Sequence, residues 1–209
     1  MNRRTRLAGV GSSLALAAGV LIALALDPTV GALPVRARLS DLGRPGTPGA
    51  LVFGVGLAVA GALGLGFAGG CWRVASDPLD RAVAALAGAA FLGLAVAGLA
   101  PEPGVAHRPA LATAYPAGLS AVLLDGLRRR GTPDGSRAGT GLLAAVGVVL
   151  SLWTLRGVVA FTFLLSGPTS ALLLTELATL AALVGWVVFR VRAGASTGSA
   201  ASVVTAAER

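Results

Sequence analysis

Two groups of side chains in this sequence could do chemistry. The first is Ser40, Asp41 and Arg44, in the stretch RLSDLGRPGTPG, together with His107. A hydroxyl, a carboxylate, a guanidinium and an imidazole could bind a polar ligand or partner, and Asp41 with His107 could form an acid–base pair. The second is Arg156 and Glu176, each set within an apolar run. Ionisable side chains at membrane depth face a bundle interior, pair with one another, or mark an ion or proton pathway. Other chemistry is excluded. One cysteine, Cys71, and one histidine cannot build a conventional zinc or haem site, so no metal and no cofactor is expected. All seventeen basic residues are arginine, which rules out a lysine Schiff base or a P-loop lysine. No catalytic constellation is legible, and a non-enzymatic protein is the expectation.

The elements that must hold these residues are apolar. The chain has 209 residues, of which 55% are hydrophobic and 12% charged. Its mean hydropathy is +0.81. Apolar runs of about 20 residues recur, the length that spans a bilayer as a helix. Prolines mark the starts at Pro48, Pro78, Pro109 and Pro168, since the first helical position has no N–H partner to lose. The pattern predicts an all-α, polytopic six-helix membrane bundle. Its spans cover about 7–26, 50–70, 78–100, 109–127, 139–165 and 168–189, within a membrane domain at 1–192. Residues 193–209 are small and polar and predict a disordered tail. The first run could be a signal peptide, but its length favours a retained helix. Pro116 predicts a kink or a frayed start in the fourth span.

Arginine placement predicts the orientation. With the N-terminus inside, twelve of the seventeen arginines are cytoplasmic, against Arg36, Arg38, Arg44, Arg108 and Arg156 outside. That bias puts both termini in the cytoplasm of a multi-pass cell-membrane protein. The net charge of +8 follows from this bias, and no nucleic-acid partner is implied.

Gly54, Ala58, Ala62, Gly66 and Gly70 recur every fourth position, which predicts a face for close helix packing within the bundle. If the fifth helix continues to Leu165, Arg156 and Glu176 lie roughly 12–15 Å below the hairpin at Ser166-Gly167 and pair with each other. If it ends at Leu155, Arg156 reaches the outer interface and the residues after it lie in that interface. Asp125 reads as local headgroup pairing with the arginines after it, and Asp77 and Asp80 read as first-turn capping. His107 reads as a loop residue near Glu102 and Arg108, and RLSDLG as a short helical turn capped by Ser40 on the outer surface.

The stretch RLSDLGRPGTPGALVFGVGLAVAGALGL resembles the prokaryotic membrane family known as domain of unknown function 998, with a Ser-Asp-Leu-Gly turn before a second helix opened by proline. DPLDRAVAALAGAAFLGLAVAGLAPE, followed by His107, resembles it too, and a more distant similarity is to the DRAM and Sfk-type six-helix proteins. The resemblance runs from Leu7 to about Arg190 and takes in Ser40, Asp41, Gly43 and His107, while Arg156 and Glu176 fall outside its pattern. It implies fold and membrane location and carries no activity. Three roles are therefore weighed. The first is binding of membrane lipid or a membrane-protein partner at the outer face. The second is a small proton-coupled carrier using Glu176 and Arg156. The third, an intramembrane lipid-modifying enzyme using Asp41 and His107, ranks last.

Overall fold

A computed structural model of the protein describes residues 1–27, 38–100, 104–132, 135–162 and 172–207. Side chains are described to Leu155 in the fifth helix and from Leu173 to Gly194 in the sixth. Six α-helices follow in order: α1 (Arg3–Leu26), α2 (Ala50–Val74), α3 (Pro78–Leu99), α4 (His107–Arg130), α5 (Ser136–Thr162) and α6 (Leu172–Ala207). A 3-10 turn, Leu39–Gly43, lies between α1 and α2. All six helices contain a stretch long and apolar enough to cross a membrane. The protein is an all-α, multi-pass membrane bundle.

Local chemistry sets the helix starts. Asn2 caps α1, accepting the Thr5 N–H at 2.8 Å. Asp77 caps α3, accepting the Asp80 N–H at 2.8 Å, with Pro78 at the first helical position. Before α2, Thr47 folds back, its hydroxyl donating to the carbonyls of Leu42 at 3.0 Å and Arg44 at 2.9 Å. Gly46, at φ 93°, takes the left-handed conformation that this reversal needs. Pro116 leaves α4 continuous from His107, so the start of that helix does not fray. The backbone of α5 is helical through Thr162, past Arg156. Helix α6 runs to Ala207, through residues whose composition predicts a disordered tail; no proline follows Leu172, and alanine is the best helix former.

Helices adjacent in sequence pack side by side from α1 to α6, and α6 also touches α1 and α4. The core is Phe67, Phe91, Leu57, Leu94 and Trp186, with Phe67 and Trp186 in edge-on contact at 6.0 Å. Leucines such as Leu14, Leu21, Leu51 and Leu92 point outward, as lipid contact allows.

Small residues bring α1, α2 and α3 close together. A Cβ on Gly56 would sit 2.7 Å from the Gly19 Cα, and one on Gly61 would lie 2.6 Å from the Phe91 carbonyl oxygen. Across the α1–α2 contact, Ser12 donates its hydroxyl to the Ala60 carbonyl at 2.7 Å. The every-fourth row does not form one packing face. Gly54 meets Gly98 of α3 and Gly70 meets Thr5 of α1, while Ala62 and Gly66 are exposed. The cause is geometric: each four-residue step overshoots a full turn by about 40°, so the row wraps roughly 160° around the helix. Gly54, Ala58 and Gly70 of the row do make close contacts, and Gly56, Gly61 and Gly64 make others, the last against the Phe91 ring.

Candidate functional site

The 3-10 turn dips into the mouth of the bundle. Leu39, Ser40 and Leu42 are all buried, so RLSDLG does not lie on the surface. Two leucines in a short polar loop explain this, because each removes apolar area from water by turning inward. The capping expected of Ser40 is performed by Asp41, whose carboxylate accepts the Arg38 N–H at 2.7 Å. Its other oxygen pairs with Arg44 at 2.8 Å. Glu176 anchors the same turn from α6. It is 6% exposed and accepts the Leu39 N–H at 2.7 Å. A carboxylate on a backbone N–H makes a charge-assisted bond, stronger than a neutral one. The Arg156 side chain, and with it the expected pair between Arg156 and Glu176, lies outside the described residues.

His107 is not a loop residue on the surface. It opens α4 and is 2% exposed. Its Nδ1 lies 2.9 Å from the Ala97 carbonyl and 2.8 Å from that of Ala100, so Nδ1 carries a proton and donates to both. The imidazole thereby ties α4 to the last turn of α3. Among the expected outer-face residues, Ser40 and Asp41 share the 3-10 turn and Arg44 follows it directly, while His107 is held by its own carbonyl partners. Between them is a cavity of about 340 Å³, lined by Gly43, Pro45, Phe53, Gly98, Ala100 and His107 among others. Its wall is apolar apart from the imidazole.

At the opposite end, which carries the clustered arginines of α2, α4 and α6, lies a second polar assembly. Asp125 is 0% exposed; one oxygen accepts from Trp186 Nε1 at 2.9 Å and Arg129 Nε at 3.0 Å, and the other forms an ion pair with Arg190 at 2.9 Å. Arg128 pairs with Asp77 at 3.0 Å and Asp80 at 2.9 Å. The Asp80 backbone N–H, and after it Arg128, hold the Asp77 carboxyl below its ordinary value. Asp125 thus does more than pair locally with Arg129, the arginine one turn on. The sequence did hold a signal for the rest: Trp186 and Arg190 are four residues apart on the terminal helix and so share a face. Among the described residues, no three metal-ligating side chains converge.

No curated protein and no solved structure matches the chain. Residues 10–189 match the family described as "Protein of unknown function (DUF998)", a stretch that includes the 3-10 turn, His107, Glu176 and the Asp125 assembly up to Phe189. This six-helix membrane protein belongs to the DUF998 family.

Proposed function

We propose that the protein binds the hydrocarbon part of a membrane lipid beside the 3-10 turn, without altering it chemically. The observation that carries this reading is the apolar cavity of about 340 Å³. Ligand pockets span roughly 300–1,000 Å³ and are mostly apolar with a few orienting polar groups. Here His107 is the polar group, fixed by two carbonyls, and Gly43 of the turn, with Pro45 after it, lines one side. An acyl or isoprenoid chain suits such a wall better than a polar solute does. The arginine bias supports an orientation with both termini cytoplasmic, which puts this cavity toward the outer leaflet of a cell membrane.

The test is native mass spectrometry of protein extracted in a mild detergent, beside an Ala100→Phe variant that fills the cavity. The wild type should retain one lipid per chain and the variant should lose it. A bare wild-type chain, or equal retention by both, refutes the reading.

One observation favours a second reading, a proton-coupled carrier. Glu176 is buried and holds the turn through the Leu39 N–H. Protonation would weaken that bond and loosen the turn that borders the cavity, which is a way for a proton to gate access. Under this reading Glu176→Gln, which cannot gain or lose a proton, abolishes uptake driven by a pH gradient in vesicles containing the protein.

A further inference from the structure

The end of the bundle opposite the turn has a cavity of its own, about 550 Å³ in volume. Its wall includes Met1, Cys71, Asp80, Arg129, Arg190 and Gly194, so it lies where α2, α3, α4 and α6 end or begin together. Two of these residues are arginines that are firmly held yet have donors to spare. Arg129 gives its Nε to Asp125 at 3.0 Å, and its guanidinium lies 4.7 Å from the Phe189 ring centre. Its two terminal nitrogens make no bond among the described residues. Arg190 lies 5.7 Å from the Trp186 ring centre and gives one terminal nitrogen to Asp125 at 2.9 Å and Asp80 at 3.7 Å. Its Nε is buried and has no hydrogen-bond partner among the described residues; the Oδ1 atoms of Asp80 and Asp125 have none either, but both face the Arg190 terminal nitrogen at ion-pair distance.

Buried polar groups are nearly always satisfied, so an unsatisfied donor beside a cavity points to something that fills it. Each guanidinium also lies over an aromatic ring, Phe189 at 4.7 Å and Trp186 at 5.7 Å, which with the Asp125 ion pairs limits the freedom left to lose on binding. Guanidinium forks match the oxygens of a phosphate, and basic pockets between membrane helices are suited to phosphate-bearing headgroups. The charge balance allows an anion. Asp77, Asp80 and Asp125 are matched by Arg128, Arg129 and Arg190, and the exposed Arg73, Arg81, Arg130 and Arg192 leave an excess of positive charge at this end. The cavity also opens beside Val74 and Ala75, where α2 leaves its apolar span. That is the level of lipid phosphates.

We infer that Arg129 and Arg190 form a binding site for a phosphate group, borne by a phospholipid headgroup or by free phosphate. This site is separate from the cavity under the 3-10 turn and does not depend on what that cavity holds.

The experiment titrates the purified full chain in non-ionic detergent, read by native mass spectrometry. The probes are a short-chain phosphatidylglycerol, inorganic phosphate, and diacylglycerol of the same chain length. Two variants accompany the wild type. Ala75→Glu puts a carboxylate at the cavity mouth without touching the ion pairs, and Arg129→Lys keeps a charge beside Asp125 but removes the fork. Phosphatidylglycerol should bind one per wild-type chain, and both variants should bind it about tenfold more weakly, the loss of one charge-assisted hydrogen bond. Thermal midpoints of the variants check that they fold. Binding of inorganic phosphate at similar strength makes the free anion the ligand, and binding of the phospholipid alone makes it a headgroup; both support the site. Equal binding of diacylglycerol, or undiminished phosphatidylglycerol binding by both folded variants, overturns it.

Discussion

Replacing Asp125 by alanine removes the one acceptor that holds Trp186, Arg129 and Arg190 together. The cost follows from what stays behind. Asp125 is fully buried, and the side chains of Arg129 and Arg190 are only 20% and 17% exposed, so water does little to replace the lost carboxylate. Removing one partner of a buried ion pair costs about 3–5 kcal/mol, because a charge is left without compensation. The lower end applies here, since Arg190 keeps Asp80 at 3.7 Å and both arginines have long stems that can swing toward water. For a protein of this size each kcal/mol moves the thermal midpoint by roughly 2–4 °C, which gives a fall of about 6–12 °C for Asp125→Ala. Asp125→Asn should lose less, because its amide oxygen still accepts the Trp186 N–H. The assay is thermal unfolding in detergent, followed by tryptophan fluorescence. A midpoint for Asp125→Ala within about 2 °C of the wild type would show that the arginines find equal partners without the carboxylate, and the reasoning would fail.

Three further perturbations test other links. Glu176→Ala leaves the buried Leu39 N–H without its acceptor, at about 1–3 kcal/mol, and should make the segment 38–44 far more susceptible to limited proteolysis; unchanged cleavage would show that the turn is held by its leucines alone. Asp77 is held below its ordinary value, so its stabilising contribution is complete above the unfolded value of 3.8 and is lost as pH falls through the lower folded one. The gap in thermal midpoint between wild type and Asp77→Asn should therefore be constant near neutral pH and close below about pH 4; a gap that widens on acidification contradicts the assignment. Gly56→Leu should prevent α1 from docking, since a Cβ alone already sits 2.7 Å from the Gly19 Cα, whereas Gly69→Ala meets open space and should be neutral or slightly stabilising. Equal yields of folded protein from the two variants would contradict that contrast.

The parts of this molecule that were legible before its structure are those governed by local rules. Span positions follow from apolar length, and starts such as Pro78 after Asp77 follow from capping chemistry, so they need no knowledge of neighbours. The parts that were not legible depend on partners far away in sequence. His107 looks like a loop residue until the end of α3 supplies the Ala97 and Ala100 carbonyls. Ser40-Asp41 looks like an exposed turn until Glu176, 137 residues from Leu39, reaches the backbone beside it. Asp125 is the most telling case. Its spacing to Arg129 suggested a surface pair of little consequence, yet its burial is decided by Trp186, 61 residues on. A carboxylate within an apolar helix should instead have prompted a search of the other spans for donors at matching depth. Trp186 and Arg190, one helical turn apart, are the pair such a search finds. The same rule bears on function. In a bundle whose outward-facing side chains are largely apolar, each buried charge has either a structural partner or a ligand. Asp125 accepts from Trp186 and Arg129 and pairs with Arg190, all partners within the bundle, and so is structural, whereas the Arg190 Nε and the terminal nitrogens of Arg129 have no hydrogen-bond partner among the described residues. That difference, rather than charge or burial alone, separates the residues that hold the fold from those with capacity to bind.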